Sequence, residues 1–219
     1  MHMKEYKKHL NPEKALIWRI VHRDNIPWIL ANGLHCGNSH VQFSGWVNIG
    51  NPDLTDKRAT HPVPVGMCGY LNDYVPFYFT PFSPMMNNIR SGYAGIKQRS
   101  TDEIVILVSN LHKVKKLGLD FVFTDGHANY AWSNFYTDLN DLSKIDWTIL
   151  QTRNFKRDPD DPSKSGRYQA EALIYSHCPV EALEGMICYT EQTKKQLDNW
   201  VQNHQLSLRI FARSEWYFT

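Results

Sequence analysis

The sequence predicts an α+β fold with a strand-rich core, short helices and long polar loops. Short runs of β-branched and aromatic residues recur along the chain, whereas helical periodicity is confined to a few segments. Two long stretches, residues 37–69 and 151–167, are dominated by polar residues. Because the strands do not alternate regularly with helices, the pattern favours an α+β arrangement over a doubly wound parallel sheet.

The first elements are predicted from composition and capping signals. Residues 15–22 are apolar, β-branched and aromatic, which is typical of a buried strand. Asp24 is placed to cap a short helix over residues 26–32, and Gly33 is placed to end it. The stretch 37–69 is long for a loop without secondary structure, and loops of that length are usually lids or binding loops.

The remaining elements follow from the same two periodicities. Further strands are predicted at residues 74–79, 103–108, 121–124, 168–175, 187–189 and 206–211. Helices are predicted at residues 85–90, 138–147 and 190–204. The strand at 121–124 runs into the polar turn Asp125-Gly126-His127, and the strand at 168–175 carries a carboxylate, Glu171, in its middle.

The composition bounds the class of protein. A chain of 219 residues suits one large domain or two small ones, and it can bury roughly 70% of its unfolded surface, enough for a full hydrophobic core. Of these we expect a single domain over residues 1–219. The formal net charge of +2 excludes a polybasic tail that binds by bulk charge, and it equally excludes an acidic disordered tail. Any contact with nucleic acid must therefore use a local patch.

The sequence carries no targeting signal, and a cytoplasmic location is expected. No apolar run approaches the roughly 20 residues of a membrane span, and no hydrophobic segment follows the polar N-terminus. Residues 1–3 are interpreted as a cloning scar, and residues 1–10 are expected to be flexible. The four cysteines lack CxxC spacing, so scattered buried thiols are favoured over a zinc site, and no metal is expected.

Three side chains stand out as candidates for chemistry. Glu171 lies among apolar neighbours, where a buried carboxylate costs several kcal/mol unless it is paired or used. A solvent-facing glutamate on an alternating strand fits the same residues equally well. His22 ends the first strand and His127 follows another, although a chain with ten histidines places some of them at strand ends by chance.

The segment 153–167 interleaves cations with an aromatic side chain. That composition fits a loop that grips phosphates and stacks a base, and it also fits a solvated surface loop. Dinucleotide-fold and P-loop glycine motifs are absent from the sequence, as are HExxH and GxSxG.

Four motifs in order identify a family resemblance. They are WRIVHRDNI at residues 18–26, DYVPFYF with SPM at 73–85, FVFTDGH at 121–127 and RYQAE at 167–171, with a WY pair near the end of the chain. Together they resemble the DarT family of DNA ADP-ribosyltransferase toxins, from about residue 16 to residue 218.

The resemblance implies an ADP-ribosyltransferase fold of the poly(ADP-ribose) polymerase type. It implies transfer of ADP-ribose from NAD+ to a base in single-stranded DNA, with the thymine-modifying subclass, which reacts at N3, favoured over the guanine subclass. It also implies a toxin whose partner is a DarG-like macrodomain antitoxin, and we expect a monomer. RNA or protein as the acceptor, and a non-catalytic nucleic-acid-binding module, stay open as alternatives.

The resemblance also assigns residues. Glu171 matches the catalytic glutamate, and Arg58, in the long 37–69 loop, matches an arginine needed for catalysis. The expected NAD+ contacts are Arg19, Val21, His22, Asn25 and Tyr78. The expected contacts to the DNA are His127, Arg153, Phe155, Lys156 and Arg157.

Overall fold

The computed structural model describes residues 6–218, apart from the side chain of Ala94. Its strands are β1 (Leu16–His22), β2 (Leu34–His35), β3 (Tyr74–Tyr78), β4 (Ile104–Asn110), β5 (Phe121–Thr124), β6 (Phe135–Tyr136), β7 (Glu171–Tyr175), β8 (His177–Cys178), β9 (Leu183–Cys188) and β10 (Arg209–Ala212). Its α-helices are α1 (Ile26–Asn32), α2 (Pro52–Thr60), α3 (Pro84–Ser91), α4 (Leu111–Lys116), α5 (Trp147–Thr152), α6 (Lys164–Arg167) and α7 (Glu191–Asn203).

Eight strands form one mixed sheet in the order β10-β9-β4-β1-β3-β7-β5-β6, and β2 pairs with β8 beside it. All neighbours in the large sheet are antiparallel except β10 and β9. The predicted α+β class is therefore confirmed. The central strands read as continuous apolar runs because both faces of the sheet are covered, as at Val105, Ile106 and Leu107, which are fully buried.

Several predicted elements have different bounds in the structure. The strand expected at 187–189 is β9, Leu183–Cys188, and the strand expected at 206–211 is β10, Arg209–Ala212. The strand expected at 168–175 begins only at Glu171, because the backbone N–H groups of Tyr168 and Gln169 bond back to α6, at 3.0 Å each. The helix expected at 138–147 is a 3₁₀ segment, Leu139–Lys144, followed by the separate helix α5. Asp138 and Asp146 each accept a backbone hydrogen bond at the start of one of them, so two caps replace one helix.

Two further expectations are corrected. The stretch 37–69 contains helix α2, which the periodicity missed because none of its residues is buried. Flexibility over residues 6–10 is wrong, because Leu10 is fully buried and the Tyr6 hydroxyl donates a 2.7 Å hydrogen bond to the Gln151 carbonyl. Residues 1–5, including the segment interpreted as a cloning scar, lie outside the described residues.

The cysteines and helices bear on two other expectations. Three of the four thiols are buried, but Cys68 is exposed, so the expectation of buried thiols fails at that position. Over residues 6–218, no cluster of three His, Cys, Asp or Glu side chains is arranged to hold a metal ion. Within the same range, no helix is long and apolar enough to cross a membrane.

Candidate active site

Glu171 lies at the point where three strands come together. It is the first residue of β7, it pairs with Tyr78 at the end of β3, and β5 flanks β7 on its other side. The side chain is completely buried. Oε2 accepts a 2.8 Å hydrogen bond from Arg58 Nη1, and Oε1 accepts a 2.9 Å hydrogen bond from the Ala128 backbone N–H.

The partners of Glu171 keep it ionised. Burial by itself raises the pKa of this carboxyl group, but the Arg58 charge, the neighbouring His127 ring and the Ala128 N–H outweigh that effect, so its pKa lies below the usual range. An isolated carboxylate would not stay charged at such a site. The structure therefore holds a negative charge in a dry environment by means of specific partners.

Arg58 reaches this site from helix α2, 113 residues away in sequence. Asn51 caps the helix by accepting from the Asp53 N–H, and Pro52 occupies the first turn, where its missing N–H costs nothing. Arg58 lies in the last turn, where the helix dipole favours a cation. Its Nη2 atom is buried and has no hydrogen-bond partner among residues 6–218, so the guanidinium keeps a donor for a ligand.

A cleft opens beside this pair and is lined by all five predicted NAD+ contacts, Arg19, Val21, His22, Asn25 and Tyr78, together with Arg58 and His127. A second cavity adjoins it and shares Arg19 and Arg58. A larger cavity of about 600 Å³ lies between β10 and the N-terminal segment, and none of the predicted site residues lines it. Cavity size alone would therefore favour a different place from the one that the predicted residues and the buried ion pair indicate.

Positive charge is concentrated in the cleft. The Arg19 guanidinium donates a 2.7 Å hydrogen bond to the Pro76 carbonyl, while its Nε has no partner within the described residues. Burial and the nearby Arg58 charge lower the pKa of Arg19 to about 10, so it stays protonated at neutral pH. Two cations against one carboxylate favour an anionic ligand, such as the pyrophosphate of a dinucleotide.

Asn25 and His22 contribute in a more indirect way than expected. Both ends of the Asn25 amide bond the Val47 backbone, at 2.9 and 2.8 Å, so the residue fixes the 46–50 wall of the cleft. His22 Nδ1 accepts from the Asp24 N–H, so Nε2 carries the proton and donates to Glu103 at 3.2 Å. A direct hydrogen bond from His22 to a ribose must displace one of these partners. Sequence reasoning missed Glu103, which lies 81 residues away from His22.

Tyr78 and His127 border the carboxylate. Burial and the adjacent Glu171 charge raise the pKa of Tyr78, so its hydroxyl stays a donor. His127 Nδ1 lies 3.4 Å from Glu171 Oε1, and burial lowers the pKa of this histidine in spite of the carboxylate. The imidazole is therefore neutral at neutral pH.

Asn129 is a site residue that sequence reasoning missed. It lines the cleft, and both polar atoms of its amide are buried without partners in the described part of the chain. Native structures seldom leave such groups unpaired, so each one indicates a missing partner. Its position two residues after His127 was the only available signal.

The predicted DNA contacts in the 153–167 segment divide into two pairs. The Arg153 guanidinium lies 3.4 Å from the centre of the Phe82 ring, and Phe155 packs against Tyr168 and Phe218. Both side chains are partly buried in these contacts, an arrangement that does not favour their predicted role. Lys156 and Arg157 are exposed, and their contact with the DNA stays a prediction.

A family model described as "DarT: ssDNA thymidine ADP-ribosyltransferase, DarT" matches residues 18–218. The chain belongs to the DarT family. As a member of that family it is an NAD+-dependent DNA ADP-ribosyltransferase, and NAD+ is its substrate. The buried carboxylate and the paired arginine thus lie within the region that matches this family.

The chain is also similar to individual members of the family. A DNA ADP-ribosyl transferase of Escherichia coli O127:H6 is 63% identical over 98% of this chain and 99% of that protein. The structure of Thermus sp. 2.9 DarT in complex with ADP-ribosylated ssDNA matches with a TM-score of 0.86 at 30% identity, over 94% of this chain and 98% of that one. The same Thermus protein in complex with NAD+ matches with a TM-score of 0.81 at 31% identity, over 94% and 99%.

Proposed function

We propose that this enzyme transfers ADP-ribose from NAD+ to N3 of a thymine in single-stranded DNA and releases nicotinamide. The observation that carries the proposal is the ionised, fully buried Glu171, bonded to Arg58 at 2.8 Å in a cleft with surplus positive charge. The family model described for ssDNA thymidine, and the Thermus relative solved with ADP-ribosylated ssDNA, support the choice of acceptor.

The reaction develops two charges that the site must stabilise, a positive charge on the ribose and a negative charge on the thymine. Loss of nicotinamide leaves positive charge on the ribose, and a preorganised carboxylate in a dry site stabilises that charge. Each oxygen of Glu171 accepts one hydrogen bond from the described residues and keeps a second acceptor position, so a ribose hydroxyl can bond it without displacing Arg58. The guanidinium of arginine does not lose its proton at neutral pH, so Arg58 cannot serve as the base. We assign it the role of stabilising the negative charge that develops on the thymine as N3 loses its proton.

The N3 proton needs an acceptor. Glu171 is a weak base because its partners lower its pKa, whereas His127 is neutral and intrinsically more basic. We assign the proton to His127 Nδ1, which must give up the 3.2 Å hydrogen bond that it accepts from the Asn129 N–H, and the adjacent carboxylate then stabilises the charged imidazole. N3 forms a bond to C1′ of the ribose. The bond between C1′ and the nicotinamide nitrogen breaks, and its electron pair leaves with the nicotinamide.

The biological role is part of the same proposal. N3 is occupied by pairing in duplex DNA, so single-stranded DNA avoids an unpairing cost of a few kcal/mol. Adducts at a pairing position block replication, which suits a toxin whose antitoxin is a macrodomain that removes ADP-ribose. All the site groups come from one chain, which fits action as a monomer, and a DNA target fits a cytoplasmic location.

The test is incubation with NAD+ and matched oligonucleotides with and without thymine, read by mass spectrometry. A mass gain of one ADP-ribose on thymine-containing DNA alone is expected. Glu171→Gln should lower the rate by at least about 100-fold, while Glu181→Gln, at an exposed glutamate, should not change it. Modification of thymine-free DNA, RNA or protein would move the proposal to those acceptors, and absence of NAD+ cleavage above background would leave only a binding module.

A further inference from the structure

A row of three rings in contact, which we call the ring ladder, leads from the Glu171 carboxylate to the surface. His127, in contact with Glu171, lies 5.0 Å from the Tyr130 ring centre at an interplanar angle of 30°. The Tyr130 ring lies 4.7 Å from the Trp132 ring at 31°. Trp132 ends the row with 68% of its surface exposed, so the ring ladder presents a bare indole close to the reacting centre.

Backbone contacts hold the ring ladder in place. The His127 N–H donates to the Gly166 carbonyl at 3.0 Å, and the Tyr130 N–H donates to the His127 carbonyl at 2.9 Å. The Ser133 hydroxyl adds a 2.8 Å bond to the same His127 carbonyl. Gly166 packs so closely that a Cβ there would lie 3.3 Å from the Tyr130 ring. The rings are therefore positioned before any ligand arrives.

A cavity of about 570 Å³ lies between Trp132 and the 157–166 segment, and Arg157 lines it. Two cations beside Arg157 are already paired: Lys164 with Asp158, and Arg167 with Asp146 and Asp161. Arg157 is exposed and forms no ion pair within the described residues. The groove thus combines one bare aromatic face with one available guanidinium.

We propose that Trp132 is a stacking platform for the base that neighbours the modified base in the DNA strand, with Arg157 contacting the phosphate between them. The proposal rests on the proposed function, because it assumes that the acceptor is single-stranded DNA. Aromatic faces that stack bases beside a cation for the backbone are the general means by which proteins hold single strands. Only two ring-to-ring steps separate the indole from His127, so a base on Trp132 belongs to a nucleotide near the target.

The experiment combines a protein variant with a DNA variant. Trp132→Ala and Trp132→Phe are compared with Phe211→Ala, a control that removes an exposed ring on β10. Each protein is assayed against a thymine oligonucleotide and against copies carrying one abasic nucleotide at each of the two positions on either side of the target. The readouts are the KM for DNA and the mass of the product.

Trp132→Ala should raise the KM for intact DNA by roughly 5- to 150-fold, which corresponds to base–aromatic stacking of about 1–3 kcal/mol, and Trp132→Phe should recover part of the loss. One abasic position should weaken the wild-type enzyme by a similar factor and leave Trp132→Ala unaffected. Equal KM values for Trp132→Ala and Phe211→Ala would overturn the inference. So would a rise in KM at every abasic position that is as large for Trp132→Ala as for the wild type, and Trp132 would then be left as a contact for a protein partner. Failure of the wild-type enzyme to modify any oligonucleotide would instead overturn the proposed function.

Discussion

The pairing of Arg58 with Glu171 yields a prediction with a distinctive dependence on pH. Arg58→Ala leaves a fully buried carboxylate without its cation, and breaking a buried pair in this way costs about 3–5 kcal/mol. For a chain of this size that corresponds to a fall in Tm of about 6–20 °C at neutral pH. Arg90→Ala, at an exposed arginine, provides the control and should change Tm little.

The sign of the pH effect separates charge from packing. In the wild type the pKa of Glu171 in the folded state lies below that in the unfolded chain, so its contribution is present above the unfolded value of about 4.5 and is lost as pH falls through the folded value. Without Arg58, burial dominates and the pKa of Glu171 in the folded state lies above the unfolded value. The variant is then penalised at neutral pH and recovers as pH falls.

The assay is thermal unfolding followed by circular dichroism at pH 8, 7, 6 and 5, without NAD+. The Tm difference between wild type and Arg58→Ala should narrow toward pH 5. Adding Glu171→Gln to Arg58→Ala should remove most of that pH dependence, since the buried carboxyl group that titrates is no longer present. A Tm difference that stays constant from pH 8 to pH 5 would refute the reasoning and reduce Arg58 to a packing role.

Three further predictions concern the site and its surroundings. Because burial lowers the pKa of His127, the transfer rate should fall at acid pH with an apparent pKa below 6.5. This acid limb of the pH–rate profile should be absent from the residual activity of His127→Gln. An acid limb centred above pH 6.5 would contradict the assignment. Asn129→Ala should leave Tm unchanged or slightly raised, since its amide has no partners among residues 6–218, yet raise the KM for NAD+ or DNA about tenfold in steady-state kinetics. Arg153→Ala should lower Tm through loss of its contact with the Phe82 ring and leave the KM for DNA unchanged, whereas Arg157→Ala should raise that KM and leave Tm unchanged. The reverse pattern for the two arginines would restore the DNA-binding prediction for Arg153.

The sequence predicted most strands because strand signals are local. The run 103–108 is apolar throughout since β4 lies inside the sheet, and the FVFT run forms β5 as expected. Helix α2 could not be predicted in the same way. Its side chains are not buried, so it lacks the apolar stripe with a period of 3.6 residues that indicates a helix. The only local signal for this helix is the Asn51-Pro52 pair at its start.

The candidate site shows the same division between local and distant information. Composition alone marked Glu171 as a costly carboxylate, and the family resemblance predicted roles for His22, within a motif, and for Arg58, within the 37–69 loop. Neither source showed that the Asn25 amide is used up in holding the Val47 backbone. Both ends of that contact are polar and lie 22 residues apart, so no periodicity in the sequence connects them.

The sequence by itself determined the class of the fold and the family and marked Glu171 as a candidate, because the spacing of apolar residues and the residues within each motif are properties of short segments. Only the tertiary structure decided which side chains face the cleft. It brought Arg58 to Glu171 across 113 residues, packed Phe155 against Tyr168 and Phe218, and left Trp132 on the surface beside the cleft. Burial depends on which distant parts of the chain pack against a residue. The sequence of a polar loop therefore does not show whether an aromatic side chain in it is buried or is exposed and free to stack on a base.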